Sequence, residues 1–405
     1  MEKRDKNNDD DIRTIWYEHV RSRPGFFLGR RIGDSDSRND AIHELLKVVI
    51  NNSVEQSEQG HSQNIDVTIK DNVVNVRDYG CGMPFDKLMY RVTNLNPNEG
   101  CWALMLTNAL SSHFRTRSFR DGKTKTIEFS CGELIGESSV EVSDQRSGTS
   151  ISFTLDDSLL GKYQWLSQRI ANTLRNYACL NKGFAFNYNG QKILSKNGLY
   201  DLLCHKTKRE EMLYAPIHLQ DEKFEFVFTH TTRNCGEEFY SFVNKHYTPR
   251  GGTHQNAFRN ALAMTIRTCF GKWYERDDIC NAVSAVISIK VQEPLYETGA
   301  QTRLGSEMMR PEGQTIHDYV NDVVGRLLGD YLHKHTDIGD IILNRINKLE
   351  VMRKELPQCS EEVERRAGAN FRPSLVMPHY CISMPYLYRL NIIKQLLFLQ
   401  ILIQK

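Results

Sequence analysis

The stretch VRDYGCGMP, Val76 to Pro84, ends a β-strand in an acid and follows it with two glycines two residues apart. Gly80 and Gly82 carry no Cβ and so let the main chain come close to a ligand, while the Asp78 carboxylate can accept a hydrogen bond from an exocyclic amine such as that of adenine. Taken alone, the pattern is explained more simply by an ordinary turn. Its surroundings decide the weighting.

Upstream, Ile42, Leu45, Leu46, Val49 and Ile50 recur at three- and four-residue spacing between Asp40 and Glu58, which predicts an amphipathic helix packed on a core. Alternating Ile65, Val67, Ile69 and then Val73, Val74 and Val76 flank Lys70-Asp71-Asn72, which predicts a β-hairpin. A shorter amphipathic helix from Ile12 to Val20 runs into Arg23-Pro24-Gly25, expected to be extended or turning. Downstream come strands at Thr124–Phe129 and Gly148–Leu155 and a helix at Tyr163–Leu180.

From Asn197 to Lys208 the pattern becomes short and polar, and the fresh strands beyond it suggest a second core, with a boundary near residue 210. Strands at Phe224–Thr229 and Glu238–Val243, a helix at His254–Phe270, a strand at Ala282–Val291 and helices at Thr315–Leu332 and Ile338–Leu356 predict an α+β domain with a projecting terminal helix.

Composition excludes much else. The chain has 405 residues, 52 Lys+Arg against 50 Asp+Glu, and 40% hydrophobic residues, which rules out a collagen, a disordered tail protein and a small disulfide scaffold. A formal charge of +2 neither identifies nor forbids a nucleic-acid binder. The ten cysteines stand singly with no CxxC pair, as expected of reduced thiols in a cytoplasmic protein. MEKRDKNNDDD has no apolar core of a signal peptide. Tyr386 to Ile403 is apolar over about the length of a membrane helix, but Arg389 and Lys394 interrupt it, so no membrane span is expected.

RPGFFLG, VINNSVEQ, VRDYGCGMP, NALSSHFR, RSGTSISF, YSFVN, GGTHQNAFRNAL and ETGAQTRLGS follow one another in a fixed order between about Ile12 and Lys354. On these motifs the chain resembles the B subunits of the bacterial type II topoisomerases, gyrase and topoisomerase IV, and most closely the latter. The resemblance implies an α+β fold: a Bergerat-type ATPase α/β sandwich shared with heat-shock chaperones, histidine kinases and mismatch-repair proteins, followed by a ribosomal-S5-like transducer. It divides the chain into 1–210, 211–365 and a divergent tail, 366–405. ATP and Mg²⁺ are the implied cofactors, with Asn52, Asp78, Gly80, Gly82, Pro84 and Thr149 at the nucleotide and Asn52 at the metal. The Thr149 hydroxyl would face adenine, although a strand threonine is as readily structural.

The departures from the family pattern are as informative. Family members carry a glutamate and an asparagine four apart on one helical face, the glutamate activating water and the asparagine holding Mg²⁺. Here Val48 occupies the glutamate position, Asn51 replaces an acid, and Asn52 is retained. Glu44 lies one turn earlier, a solvated helix residue unless it reaches in through water. The lid stretch NLNPNEGCWALMLTNALSS keeps Gly100 alone of the glycine cluster, with Trp102 and Leu104 where backbone would wrap phosphate. The transducer lysine position is Gln301 in an ungapped register, or Arg303 if the loop slips by two. Cys81 replaces an arginine, which removes a salt bridge and leaves an inert buried thiol.

The N-terminal arm has no tyrosine to reach a partner's site, and no EGDSA-type motif with paired aspartates follows, so the stretch is expected to be hydrolytically impaired and unable to cleave DNA alone. Partners implied by the resemblance are a second copy through the ATPase domain, topoisomerase A or B subunits, and DNA through such a complex. Three roles follow: an ATPase module, a pseudo-ATPase acting on an intact topoisomerase, or a truncated, decayed paralogue.

Overall fold

The structure, a computed structural model, describes residues 16–28, 35–58, 62–94, 102–233, 236–297 and 301–367. It divides into two compact units after Gly198.

In the first unit, helices α1 (16–22), α2 (Pro24–Phe27) and α3 (Ser35–Glu58) precede the hairpin β1 (Asn64–Lys70) and β2 (Val73–Asp78). Asp71 and Asn72 take left-handed backbone, φ 51° and 63°, as a two-residue hairpin turn of this hand requires. After α4 (Leu88–Thr93) and α5 (Trp102–Ala109) come β3 (Ser111–Arg120), β4 (Lys123–Ser130), β5 (Glu133–Glu137), β6 (Glu141–Val142) and β7 (Gly148–Leu155). Helices α6 (Asp157–Leu160) and α7 (Ser167–Leu180) lead to β8 (Ala185–Tyr188) and β9 (Gln191–Leu194).

The strands form one sheet in the order β5-β4-β3-β7-β2-β1-β8-β9, with β6 also on β4. Only the β1–β8 pair is parallel among these described strands. The α3 stripe is buried with Val67, Val74, Val76, Phe114 and Phe153 in one core, so the helix lies on the sheet face that its periodicity selected. β2 and β7 are central neighbours, and this brings Asp78 beside Thr149.

The second unit contains α8 (Leu199–Lys206), β10 (Ile217–Gln220), β11 (Phe224–His230), β12 (Glu238–Val243), β13 (His246–Tyr247), α9 (Thr253–Phe270), α10 (Arg276–Cys280), β14 (Val283–Ile289), α11 (Ile316–Lys334) and α12 (Thr336–Ala367). Its sheet runs β10-β11-β14-β12-β13, with β12 parallel to β14 and α9 in the crossover between them. Phe224, Phe226 and Phe228 on β11 surround Phe258 of α9, ring centroids 5.3–6.2 Å away.

Two local features refine the expectations. Of the extended and turning alternatives Pro24-Gly25 takes the second, opening the one-turn helix α2, because proline's missing N–H costs nothing at the first helical position. The stretch Asn197–Lys208, short and polar in pattern, holds α8, whose Leu199, Leu202 and Leu203 are buried and which packs on β11 and β14. That packing starts the second unit at Leu199, ahead of the boundary expected near 210. Residues 1–15 and the apolar segment Tyr386–Ile403 lie outside the described residues. No described helix is long and apolar enough to cross a membrane.

Candidate functional site

Asp78 ends β2 and is wholly buried. Its Oδ1 accepts the backbone N–H groups of Gly80 and Thr149, each at 3.0 Å. Its Oδ2 is buried and has no donor. Removal from water pushes the carboxyl up to about 6, although the two N–H donors and Arg77 oppose this. An acceptor held in this state suits a ligand that donates.

Gly80 and Gly82 were expected to make room for a ligand, but the close approaches that require glycine here are to the protein itself. A Cβ on Gly80 would stand 2.3 Å from the carbonyl oxygen of Gln56 in α3, and one on Gly82, with φ +76°, 2.3 Å from that of Phe119 in β3. Gly148, which the sequence did not single out, is tighter still: at φ +134° its Cβ would come 2.2 Å from the Asp78 carbonyl oxygen. These glycines let β2, β7 and α3 converge closely enough for Thr149 to reach the Asp78 carboxylate.

Thr149 is buried, and its Oγ1 accepts the Met83 N–H at 3.3 Å, which leaves the hydroxyl proton available to donate. The Pro84 carbonyl accepts the Lys87 N–H at 3.1 Å and so belongs to the turn entering α4. Arg77 lies with its guanidinium 4.2 Å from the Phe119 ring centroid and 5.0 Å from that of Tyr79, and burial lowers its pKa. Cys81 is half-buried, not buried as expected, because its thiol points at Gln56 Oε1, 3.9 Å away.

Along α3 some polar groups are committed, whereas the buried hydroxyls of Ser53 and Ser57 have no partner. The Asn51 side-chain oxygen accepts a short hydrogen bond from the Tyr177 hydroxyl of α7, and burial raises the tyrosine's pKa, with Glu44 and Glu55 adding to it. Glu44 is paired with Lys47 at 2.7 Å. Val48 is half-buried and has no polar atom. Asn52 differs: it is buried, and its amide nitrogen has no partner.

Asn52 and Asp78 are therefore the two residues of the candidate set with buried polar atoms left open. No three His, Cys, Asp or Glu side chains cluster as a metal cage among the described residues. A Mg²⁺ ion held through one protein oxygen, water and phosphate does not need one; the Asn52 amide oxygen is the atom that could serve, while its open nitrogen suits a phosphate or water oxygen.

Gly100 lies outside the described residues. Leu104 is 2% exposed in the first core, so it serves packing and not a phosphate wall. In the second unit, the exposed Gln301 takes left-handed backbone, φ 52°, and Arg303 pairs with Glu297 at 3.0 Å. Their loop is tied to the Gly251-Gly252 turn: Leu304 N–H donates to the Gly251 carbonyl at 3.0 Å, and Arg250 N–H to that of Thr302 at 3.0 Å. The same turn caps the start of α9.

Comparison with known proteins bears on the family and the fold. The family model for DNA gyrase B matches residues 184–361. The B subunit of DNA topoisomerase 4 from Borreliella burgdorferi is 33% identical over 86% of this chain and 59% of its own length. The B subunit of DNA gyrase from Mycoplasma genitalium is 26% identical over 91% and 64%. The chain thus spans about three fifths of the length of these relatives.

Among solved structures, the 43K ATPase domain of Thermus thermophilus gyrase B, in complex with an aminocoumarin, matches with a TM-score of 0.69 at 25% identity, covering 86% of this chain and 99% of that one. The topoisomerase IV ATP-binding domain of Francisella tularensis, bound to a small-molecule inhibitor, shares the fold with a TM-score of 0.65 at 22% identity, covering 83% and 97%.

Proposed function

The chain belongs to the family of type II DNA topoisomerase B subunits, through their Bergerat-type ATPase and transducer region, and on that premise we propose that its first unit binds an adenine nucleotide and hydrolyses it very slowly. Bound in this way, the nucleotide would act as a state signal for a DNA-topology complex containing topoisomerase A or B subunits. The relatives' names supply the partner class, a DNA topoisomerase or gyrase; a cytoplasmic setting and a second copy of this unit as a further partner belong to the same proposal.

The observation that carries the reading is the buried Asp78 Oδ2 without a donor. Asp78 would accept the exocyclic amine of the base, and the Thr149 hydroxyl would donate to a ring nitrogen. The Asn52 amide oxygen would hold Mg²⁺, which when bound neutralises phosphate charge. Val48 offers no lone pair to orient or deprotonate water, and Glu44 is occupied by Lys47. Loss of a positioned general base forfeits about 10²–10⁴ in rate, which favours a binding and signalling role over fast turnover.

Calorimetric titration of the full chain with a non-hydrolysable ATP analogue and Mg²⁺ tests this. Binding is expected, and Asp78→Asn should weaken it by about 10–100-fold. In that variant the amide oxygen must still serve the Gly80 and Thr149 N–H groups, so its NH₂ turns toward the ligand amine and two donors face each other. No heat of binding with the unmodified chain, or equal affinity in the variant, would end the proposal.

A further inference from the structure

Cations in the second unit are commonly answered by acids: Arg233 by Glu211 and Glu238, Arg259 by Glu237 at 2.5 Å, Arg326 by Asp221 at 2.9 Å and Arg353 by Asp278 at 3.0 Å. One cavity, of about 480 Å³, departs from this pattern. Lys223, Lys290 and Arg310 line it, with Glu222 the one carboxylate on its wall. None of the three cations forms an ion pair among the described residues.

Two of them are forced together by the sheet. The β11–β14 ladder ends on the pair Phe224↔Ile289, and on the next rung Lys290 N–H donates to the Lys223 carbonyl at 2.8 Å. Like charges directly opposite on an antiparallel pair repel and destabilise it. The nearby Asp221 does not relieve them, because its carboxylate is taken by the Tyr319 hydroxyl at 2.8 Å and by Arg326.

Arg310 is brought to the same cavity by a separate segment. Gln292 N–H donates to the Met309 carbonyl at 2.9 Å, and Met309 N–H to that of Gln314 at 3.0 Å. Gly313 lets the arginine lie across its own turn: a Cβ there would meet Arg310 Cγ at 2.4 Å and Nε at 3.1 Å.

We propose that this cavity binds a phosphate-bearing polyanion, with Arg310 as the planar fork and Lys223 and Lys290 as point charges. Such a ligand supplies the counter-charge that the fold withholds from the opposed lysines, and Arg and Lys bind phosphate in these two complementary ways. A volume of this size admits an oligophosphate, a nucleotide or a few units of nucleic-acid backbone. The site is independent of the Asp78 pocket and of the nucleotide reading.

The test is titration of the full chain with inorganic tripolyphosphate and, separately, with a short DNA duplex, each at two salt concentrations. At least one of the two should bind. Lys290→Gln combined with Arg310→Gln should lower that affinity by about tenfold or more, and Gly313→Ala, which keeps all three charges but displaces Arg310, should weaken it in the same direction. Tripolyphosphate binding identifies a free phosphate ligand, whereas duplex binding alone, falling steeply with salt, identifies a nucleic-acid backbone. Absence of binding by both probes, or binding that survives the double substitution unchanged, overturns the proposal.

Discussion

At the β2 end of the first unit's candidate site, Asp78 keeps a buried oxygen without a donor, whereas along α3 Asn51 gives its side chain to Tyr177 and Glu44 gives its own to Lys47. Leaving a buried polar atom unsatisfied costs about 1–3 kcal/mol, so the first arrangement is one that a ligand compensates. Asn51 and Glu44 need no ligand, because their side chains are absorbed into the scaffold, while Asn52, Ser53 and Ser57 of the same helix keep open buried atoms. Recognition and hydrolysis are separate demands on such a site, and the proposed reading assigns the first to the Asp78 end and the second to the Val48 position.

The largest effect should come from restoring what the α3 end lacks. Val48→Glu places a carboxylate four residues from Asn52 on one helical face and is expected to raise phosphate release by about 10²–10⁴-fold, measured on the full chain with ATP and Mg²⁺. No gain in a variant that still binds the analogue would break the contrast, because the deficit would then lie elsewhere.

A pH series sharpens the other end. With its folded pKa at about 6 against 3.8, Asp78 is protonated in the folded chain and ionised in the unfolded one between roughly pH 4 and 6. Its contribution to stability is present below about pH 4 and is lost as pH rises through about 6, amounting to about 3 kcal/mol. In the second unit the buried His230 and His254, lowered to about 4 and about 3 by burial, work in the opposite sense: their contribution is present above about 6.5 and is lost as pH falls. The Asp78 share is therefore read as the difference in denaturant midpoint between the unmodified chain and Asp78→Asn at each pH. Analogue affinity should fall below pH 6, where a proton occupies the acceptor; a difference that does not vary with pH would contradict the burial of a strained carboxylate.

The smallest effect tests the scaffold role of Asn51. Tyr177→Phe removes the hydroxyl that the Asn51 oxygen accepts and should cost about 1 kcal/mol in urea denaturation, with analogue affinity unchanged. A marked loss of affinity at unchanged stability would place Asn51 in the pocket.

Much of the framework was legible from local periodicity. The α3 stripe and the β1–β2 hairpin are as expected, because a 3.6-residue period and a strict alternation each announce a single buried face. β3 went unseen for a physical reason: Thr116 and Ser118 on its inner face are polar yet wholly buried, so the strand shows little alternation. α8 was hidden by its polar flanks. At the site, the sequence singled out Asp78, Asn52 and Thr149 by motif; it read Gly80 and Gly82 for ligand approach without foreseeing that the backbone of Gln56 and Phe119 also requires glycine there, and it passed over Gly148.

Local order along the chain was enough to determine a mixed α/β first unit, an α+β second unit, and an acid placed at the end of a strand. What only the tertiary structure decided is which polar atoms are answered. Thr149 reaches Asp78 across 71 residues and Tyr177 reaches Asn51 across 126. A hydrogen bond depends on distance in space, to within tenths of an ångström, so whether a carboxylate or an amide is satisfied is settled only when strands β2 and β7, and helices α3 and α7, have come together.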